Sequence, residues 1–256
     1  MPVRPLQVLY AAYERRLRRD LNATRLPRHV AVLADGNRRW ARANAPDEPL
    51  VAGYRAGADK LREFCAWCDE LSIPLVTLWV LSTDNLHRSG DEELGPLLEV
   101  IADLVADLAT RHPVRLVGAL EFLPEDLAAR LRASEAASAD LPGMHVNVAV
   151  AYGGRQELRD AVRALLADEA AAGRTLEQLA TTLEIDQIEA NLYTSGQPDP
   201  DLIIRTSGEQ RLSGFLMWQS AHSEFYFCEA LWPDFRRVDF YRALRDYGRR
   251  ERRYGL

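Results

Sequence analysis

The sequence predicts a single α/β domain: a central, mainly parallel sheet of about six strands flanked by helices. Three observations predict it. Short runs of branched apolar residues alternate with amphipathic stretches of helical period, in the order β, α, β, α, which calls for parallel strands joined by right-handed crossovers. Several of those runs stop at polar clusters, the place where open α/β sheets put ligands. No low-complexity linker divides the 256 residues, whose 47% hydrophobic content is that of one folded body.

Pro5 to Leu21 carries a helical stripe of Leu6, Leu9, Tyr10, Tyr13, Leu17 and Leu21, with Arg15, Arg16, Arg18 and Arg19 largely off it. Such a helix packs on the body of the protein, and an anionic membrane surface is the other use for its basic side. Val30 to Ala34 is a run fit for a strand covered on both faces, and Asp35-Gly36-Asn37 then forces a turn. A carboxylate, a flexible backbone position, a carboxamide and the guanidinium groups of Arg38 and Arg39 leave that strand within five residues. That set suits a metal-bound phosphate or diphosphate; the plain alternative is a strand-to-helix turn with solvated arginines.

Arg38 to Pro49 is polar and interrupted by proline, so it reads as a loop beside the site, and Gly53 to Ser72 resumes as a helix. Ile73 to Leu81 is a second buried strand, ending in Ser82, Thr83, Asp84, Asn85, His87 and Arg88. The helix from Asp91 to Thr110 has a wide apolar face of Leu94, Leu97, Leu98, Ile101, Leu104, Val105 and Leu108. Periodicity cannot separate core packing from the lining of a lipid-sized tunnel.

Pro113 to Val117 is a third strand, Leu123 to Ala139 a helix and His145 to Ala151 a fourth strand. Tyr152-Gly153-Gly154-Arg155 turns the chain into a helix from Gln156 to Ala171, with too few glycines for a dinucleotide fingerprint. Asp201 to Arg205 is a fifth strand that runs into Thr206-Ser207-Gly208-Glu209-Gln210-Arg211-Leu212-Ser213-Gly214. Two arginines among hydroxyls and glycines offer guanidinium forks and backbone N–H groups to a diphosphate, the most specific anion signal in the chain. Glu224 to Phe227 is extended, and Val238 to Arg253 forms a final basic helix.

The charge balance excludes some functions. Thirty-two basic residues against 38 acidic ones give −6, which argues against general nucleic-acid binding. Cys65, Cys68 and Cys228 are too few for a disulfide framework, and the first two lie in a helical pattern, as core thiols rather than a redox or zinc pair. The amino terminus lacks the charge-then-apolar order of a signal peptide, and no stretch approaches the roughly 20 apolar residues of a membrane span, so a cytoplasmic location is expected.

Five segments taken together resemble the cis-prenyltransferases, the undecaprenyl diphosphate synthase family. They are Ala34 to Ala41, Leu81 to Arg88, Tyr152 to Arg155, Asp199 to Glu209 and Arg211 to Gln219, in an order that spans about residues 27 to 255. The resemblance divides the chain into an amphipathic amino-terminal helix, 1–26, and a catalytic domain, 27–256. It implies a homodimer that uses Mg2+ to join isopentenyl diphosphate to an allylic diphosphate with a new Z double bond. The expected catalytic residues are Asp35, Asn37, Ser82 and Asn85. Asp35 would bind Mg2+ and the allylic diphosphate, and Asn37 would assist proton removal or departure of the leaving group. Gly36, Arg38, Arg39, Trp40, Arg42, Val80 and Arg88 would contact substrate, with Arg205, Arg211 and Ser213 holding isopentenyl diphosphate. Glu224 would complete the metal shell, the partner's site being one place for it, and Arg253 would reach across the dimer.

Some positions depart from the family pattern. Tyr54 stands where histidine is usual and Arg38 where glycine is; Leu86 replaces tryptophan, and Ala151 and Gly214 replace asparagine. These departures resemble an actinobacterial-type short-chain branch, the Z,E-farnesyl diphosphate synthases. Val80 agrees, since a side chain larger than the usual alanine on the tunnel wall would stop elongation early. The expectation is therefore Z,E-farnesyl diphosphate made from geranyl and isopentenyl diphosphates. The alternatives are a medium- or long-chain synthase and the non-catalytic subunit of a heterodimeric enzyme.

Overall fold

The computed structural model describes residues 5–21, 25–88 and 91–250. Six strands, β1 (His29–Leu33), β2 (Leu75–Trp79), β3 (Val114–Val117), β4 (His145–Ala149), β5 (Leu202–Arg205) and β6 (Glu224–Phe227), form one sheet in the order β3-β4-β2-β1-β5-β6. Every pairing is parallel. In register, Leu33 of central β1 stands beside Trp79 on one side and Arg205 on the other. The carboxyl ends of β1, β2 and β5 therefore deliver their following residues to one crevice.

Ten helices accompany the sheet among the described residues: α1 (Pro5–Asp20), α2 (Asn37–Asn44), α3 (Val51–Glu70), α4 (Thr83–Arg88), α5 (Asp91–Leu108), α6 (Glu125–Ser138), α7 (Gly154–Ala171), α8 (Leu176–Thr182), α9 (Ile185–Glu189) and α10 (Arg237–Arg249). The two-residue alternation of the strands divides the core. Val30, Val32, Val76, Leu78, Val146, Val148 and Ile204 face the larger cluster with α3, α5, α6 and α10. Ala31, Leu33, Ala149 and Ile203 face a smaller one with Tyr152, Phe215 and Leu216. Cys65 and Cys68 are free thiols wholly inside the larger cluster, where burial pushes both up out of the reactive range.

One expected loop is a helix. Residues 37–44 form α2, although Ala41 is its one buried side chain and it has no apolar stripe to announce it. Its stability comes from close contact with α3. A Cβ on Gly53 would stand 2.2 Å from the Asn37 carbonyl oxygen, so only glycine lets the two helices meet there. Helix α1 packs on α10: Leu17 is buried, Arg242 Nε donates to the Tyr13 hydroxyl at 3.3 Å, and Arg15, Arg16, Arg18 and Arg19 remain exposed. Among the described residues no helix is long and apolar enough to cross a membrane.

Candidate active site

A cavity of about 1160 Å³ opens at the carboxyl ends of β1, β2 and β5. Its mouth is polar and its depth apolar. The mouth carries six guanidinium groups, Arg38, Arg39, Arg42, Arg155, Arg205 and Arg211, against the two carboxylates of Asp35 and Asp84. Leu61, Leu97, Val100, Ile101 and Leu104, from α3 and α5, line the depth with Val80. The apolar face of α5 thus serves twice: Leu97, Ile101 and Leu104 border the cavity, while Leu98, Val105 and Leu108 pack into the core.

Asp35 sits where β1 ends. Its Oδ2 accepts from Arg205 Nη2 at 3.0 Å and its Oδ1 lies 3.6 Å from Arg39 Nη2, so two arginines from different elements face one carboxylate. The backbone beneath is fixed by Thr206, whose hydroxyl donates to the Asp35 carbonyl at 2.8 Å. Gly36 follows at φ 112°, a conformation open to glycine, and a Cβ there would press on Leu231 at 2.9 Å. The turn aims the start of α2, with its unpaired backbone N–H groups, at the mouth.

Asn37 opens α2 with Nδ2 donating to the Ala34 carbonyl at 3.3 Å and with Oδ1 buried and unpartnered. Gly57 makes the room, since a Cβ there would lie 2.4 Å from that oxygen. Arg205 is 5% exposed; Nη1 donates to Ser213 Oγ at 2.9 Å and to the Arg211 carbonyl, and Nε has no partner. Ser213 (φ 52°) and Gly214 (φ 88°) bend the loop so that Arg211, Leu212 and Ser213 border the cavity with Arg205. Ser82 Oγ accepts from the Asn85 backbone N–H at 3.1 Å, capping α4 at the end of β2.

Beneath the Arg211–Met217 loop lies a buried polar group. Glu157 accepts from the Tyr152 hydroxyl at 2.5 Å, from Gln219 Nε2 at 3.0 Å and from the Tyr193 N–H at 3.0 Å, and burial raises its carboxyl above the usual range. Tyr152 OH accepts in turn from the Leu216 N–H at 3.1 Å.

Twelve of the expected site residues are brought to the cavity: Asp35, Gly36, Asn37, Arg38, Arg39, Arg42, Val80, Ser82, Asn85, Arg205, Arg211 and Ser213 line it; Arg88 ends α4, its side chain outside the described residues. Two are not. Trp40 turns away, its indole N–H donating to Asp234 Oδ1 at 2.9 Å. Glu224 opens β6 in register with Leu202, at the far end of the sheet from Asp35, and pairs with Arg250. Within one chain it therefore cannot share an ion with Asp35. Arg253 lies outside the described residues. Sequence reasoning missed Tyr54, Asp84 and Arg155 as cavity residues. Arg155 and Asp84 follow strands that end in polar runs, a signal that was available; Tyr54 on a helix face gave none.

Among the described residues no three His, Cys, Asp or Glu side chains are grouped to hold a metal alone. One half-exposed carboxylate still fits a magnesium ion that arrives on substrate phosphates, because that ion is commonly held by one or two carboxylates plus phosphate oxygens.

The undecaprenyl diphosphate synthase family model, Prenyltransf, matches residues 33–255. A short-chain Z-isoprenyl diphosphate synthase of Mycobacterium leprae is 56% identical over all of this chain and 98% of its own length. A (2Z,6E)-farnesyl diphosphate synthase of Mycobacterium tuberculosis is 54% identical with the same coverage. Among solved structures, lavandulyl diphosphate synthase from Lavandula x intermedia, in complex with dimethylallyl diphosphate, superposes with a TM-score of 0.82 at 32% identity, over 91% of this chain and all of that one. The fold, the crevice at the strand ends and these likenesses agree: the chain is a prenyltransferase and belongs to the undecaprenyl diphosphate synthase family, the cis-prenyltransferases.

Proposed function

We propose that the chain condenses isopentenyl diphosphate with geranyl diphosphate, giving Z,E-farnesyl diphosphate and free diphosphate. The single observation that carries this reading is one cavity with six arginines at its mouth and an apolar depth. The likeness to short-chain Z synthases supports the product length.

In the reaction the C–O bond of geranyl diphosphate breaks, the isopentenyl double bond attacks the allylic carbon, and a proton leaves the adjacent carbon. Charge grows on the departing diphosphate, so pre-aimed cations lower the barrier. Arg39 and the α2 amino end would take that diphosphate, next to Asp35. Arg205, Arg211 and Ser213 would hold isopentenyl diphosphate, with Asn37, Ser82 and Asn85 between the two. Two diphosphates bring about three negative charges each at neutral pH. Six arginines outnumber the two lining carboxylates, Arg38 and Arg211 also facing Glu93 and Glu209, so a divalent cation would add positive charge that two diphosphates need. Asp35 would hold Mg2+, which would stabilise the leaving group. The apolar depth excludes water from the cation, and Val80 on its wall would limit the chain to fifteen carbons.

The same reading includes a homodimer and a cytoplasmic enzyme whose catalytic domain is 27–256, with the exposed basic side of α1 offering peripheral contact with an anionic membrane. An edge strand that exposes Phe227 (39%), stacked on Phe225, supports pairing with a second copy, which is also the way Glu224 would reach a metal. The test is incorporation of labelled isopentenyl diphosphate primed by geranyl diphosphate, lost on chelation and restored by Mg2+. No incorporation with any allylic primer would overturn it.

A further inference from the structure

Two of the positions at which this chain leaves its family pattern, Arg38 and Tyr54, meet a third residue. The Tyr54 hydroxyl, on α3, donates to Glu93 Oε1 in the first turn of α5, and Arg38 Nη1, on α2, lies 3.8 Å from the same oxygen. Arg38 and Tyr54 both line the cavity. Glu93 is mostly covered, with 21% of its side chain exposed, whereas Arg38 is half-exposed at 45%. One carboxylate thus ties together the three helices that surround the mouth.

We propose that Glu93 is a positioning residue: by holding Tyr54 and Arg38 it fixes the Arg38 guanidinium over the allylic-diphosphate end of the cavity. The assignment rests on the function proposed above. Its physics is that of an aimed cation. An unanchored arginine on the exposed side of α2 samples many rotamers, and ordering it costs binding free energy; a guanidinium held beforehand has met that cost. The pair is too open and too long to matter much for stability, because half-exposed ion pairs contribute little. The Tyr54 hydroxyl, pushed up by burial and by the Glu93 carboxylate, stays protonated and remains a donor at neutral pH. Glu93 therefore keeps its hydroxyl partner while its second interaction, with Arg38, is the one that faces the substrate.

The test is calorimetric binding of geranyl S-thiolodiphosphate, which does not ionise readily, to the wild type and to Glu93→Gln, Arg38→Ala and the double variant. Steady-state KM values for both diphosphates accompany it. Glu93→Gln keeps an acceptor for Tyr54 and removes the charge facing Arg38. We expect its affinity for the analogue to fall about five- to tenfold, KM for isopentenyl diphosphate to change less than about twofold, and Tm to stay within about 2 °C. In the Arg38→Ala background the same substitution should add nothing, since Glu93 acts through Arg38. Unchanged affinity in Glu93→Gln, an equal rise in both KM values, or additive losses in the double variant would each overturn the assignment. If the wild type were to make no product, the function proposed above would fall, and the calorimetric cycle would still decide the role of Glu93.

Discussion

Asp35 joins the two halves of the site: a carboxylate at the end of β1, faced by Arg205 from β5 and by Arg39 from α2. Asp35→Ala should lower kcat by about a hundred- to a thousandfold while the circular dichroism spectrum stays native, because the side chain is at the mouth rather than in the core. Full activity would remove its assigned role. Val80→Ala should lengthen the product, read by chromatography of the dephosphorylated alcohols; an unchanged distribution would point to Leu97 or Ile101 as the limiting wall. Asp35 and Arg205 were legible in the sequence because each ends a buried strand, where the chain has one direction to go. Trp40 was not, since its partner Asp234 lies 194 residues away and nothing local announces that hydrogen bond. Nor was the placing of Glu224, because an extended segment shows its strand but not which end of the sheet it will occupy. His29 shows a residue whose burial has a measurable cost. Its Nδ1 donates to the Pro198 carbonyl at 2.8 Å and its Nε2 faces Thr77 Oγ1 at 2.8 Å, and burial lowers its pKa to about 4. The unfolded chain binds this proton near pH 6.5, so the neutral ring contributes stability that is complete above pH 6.5 and is lost as pH falls toward 4. Thermal unfolding between pH 7 and pH 4.5 should show a loss on the order of 3 kcal/mol that His29→Asn lacks. Equal pH slopes in the two proteins would contradict the assignment.

Between residue and fold, the contact of α2 with α3 decides whether the site forms. Gly53 and Gly57 lie one turn apart and let α3 press against Asn37, its carbonyl at the first position and its amide at the second. The two positions should fail differently. Gly53→Ala meets backbone at 2.2 Å and should cost about 2 kcal/mol of stability, seen as a lower Tm. Gly57→Ala meets a side-chain oxygen that can swing aside, so the fold should hold while kcat drops by roughly tenfold or more from the displaced Asn37. A Gly57→Ala enzyme of normal kcat would show that the Asn37 amide is not needed where it stands. Here the sequence was least informative. Helix α2 is short and arginine-rich, and its one buried residue, Ala41, cannot make a period. What makes it a helix is a long-range contact through glycines, which carry no hydrophobic signal. By contrast α5 was legible as a helix from its leucines, but the division of its face between core and cavity depends on where β2 and α3 stand.

At the scale of the molecule, the sheet order puts β1 and β2 in the middle and β6 on one rim, so that chemistry gathers at the centre while an aromatic edge is left outside. Parallel strands and their number were readable from alternation alone; their lateral order was not, because several orders satisfy the same crossovers. If β6 pairs with a second copy, Phe227→Glu should halve the mass seen by light scattering and, by withdrawing Glu224 from the neighbouring site, reduce activity together with assembly. A fully active monomer would remove both roles. Product length is the deciding property, since an arginine-ringed crevice over an apolar channel would serve any member of the family. The direct measurement is the size and geometry of the product formed from geranyl diphosphate and labelled isopentenyl diphosphate with Mg2+. The expected product is a single fifteen-carbon diphosphate with one new Z double bond; a product mainly longer than fifteen carbons, or an E bond, would overturn the assignment.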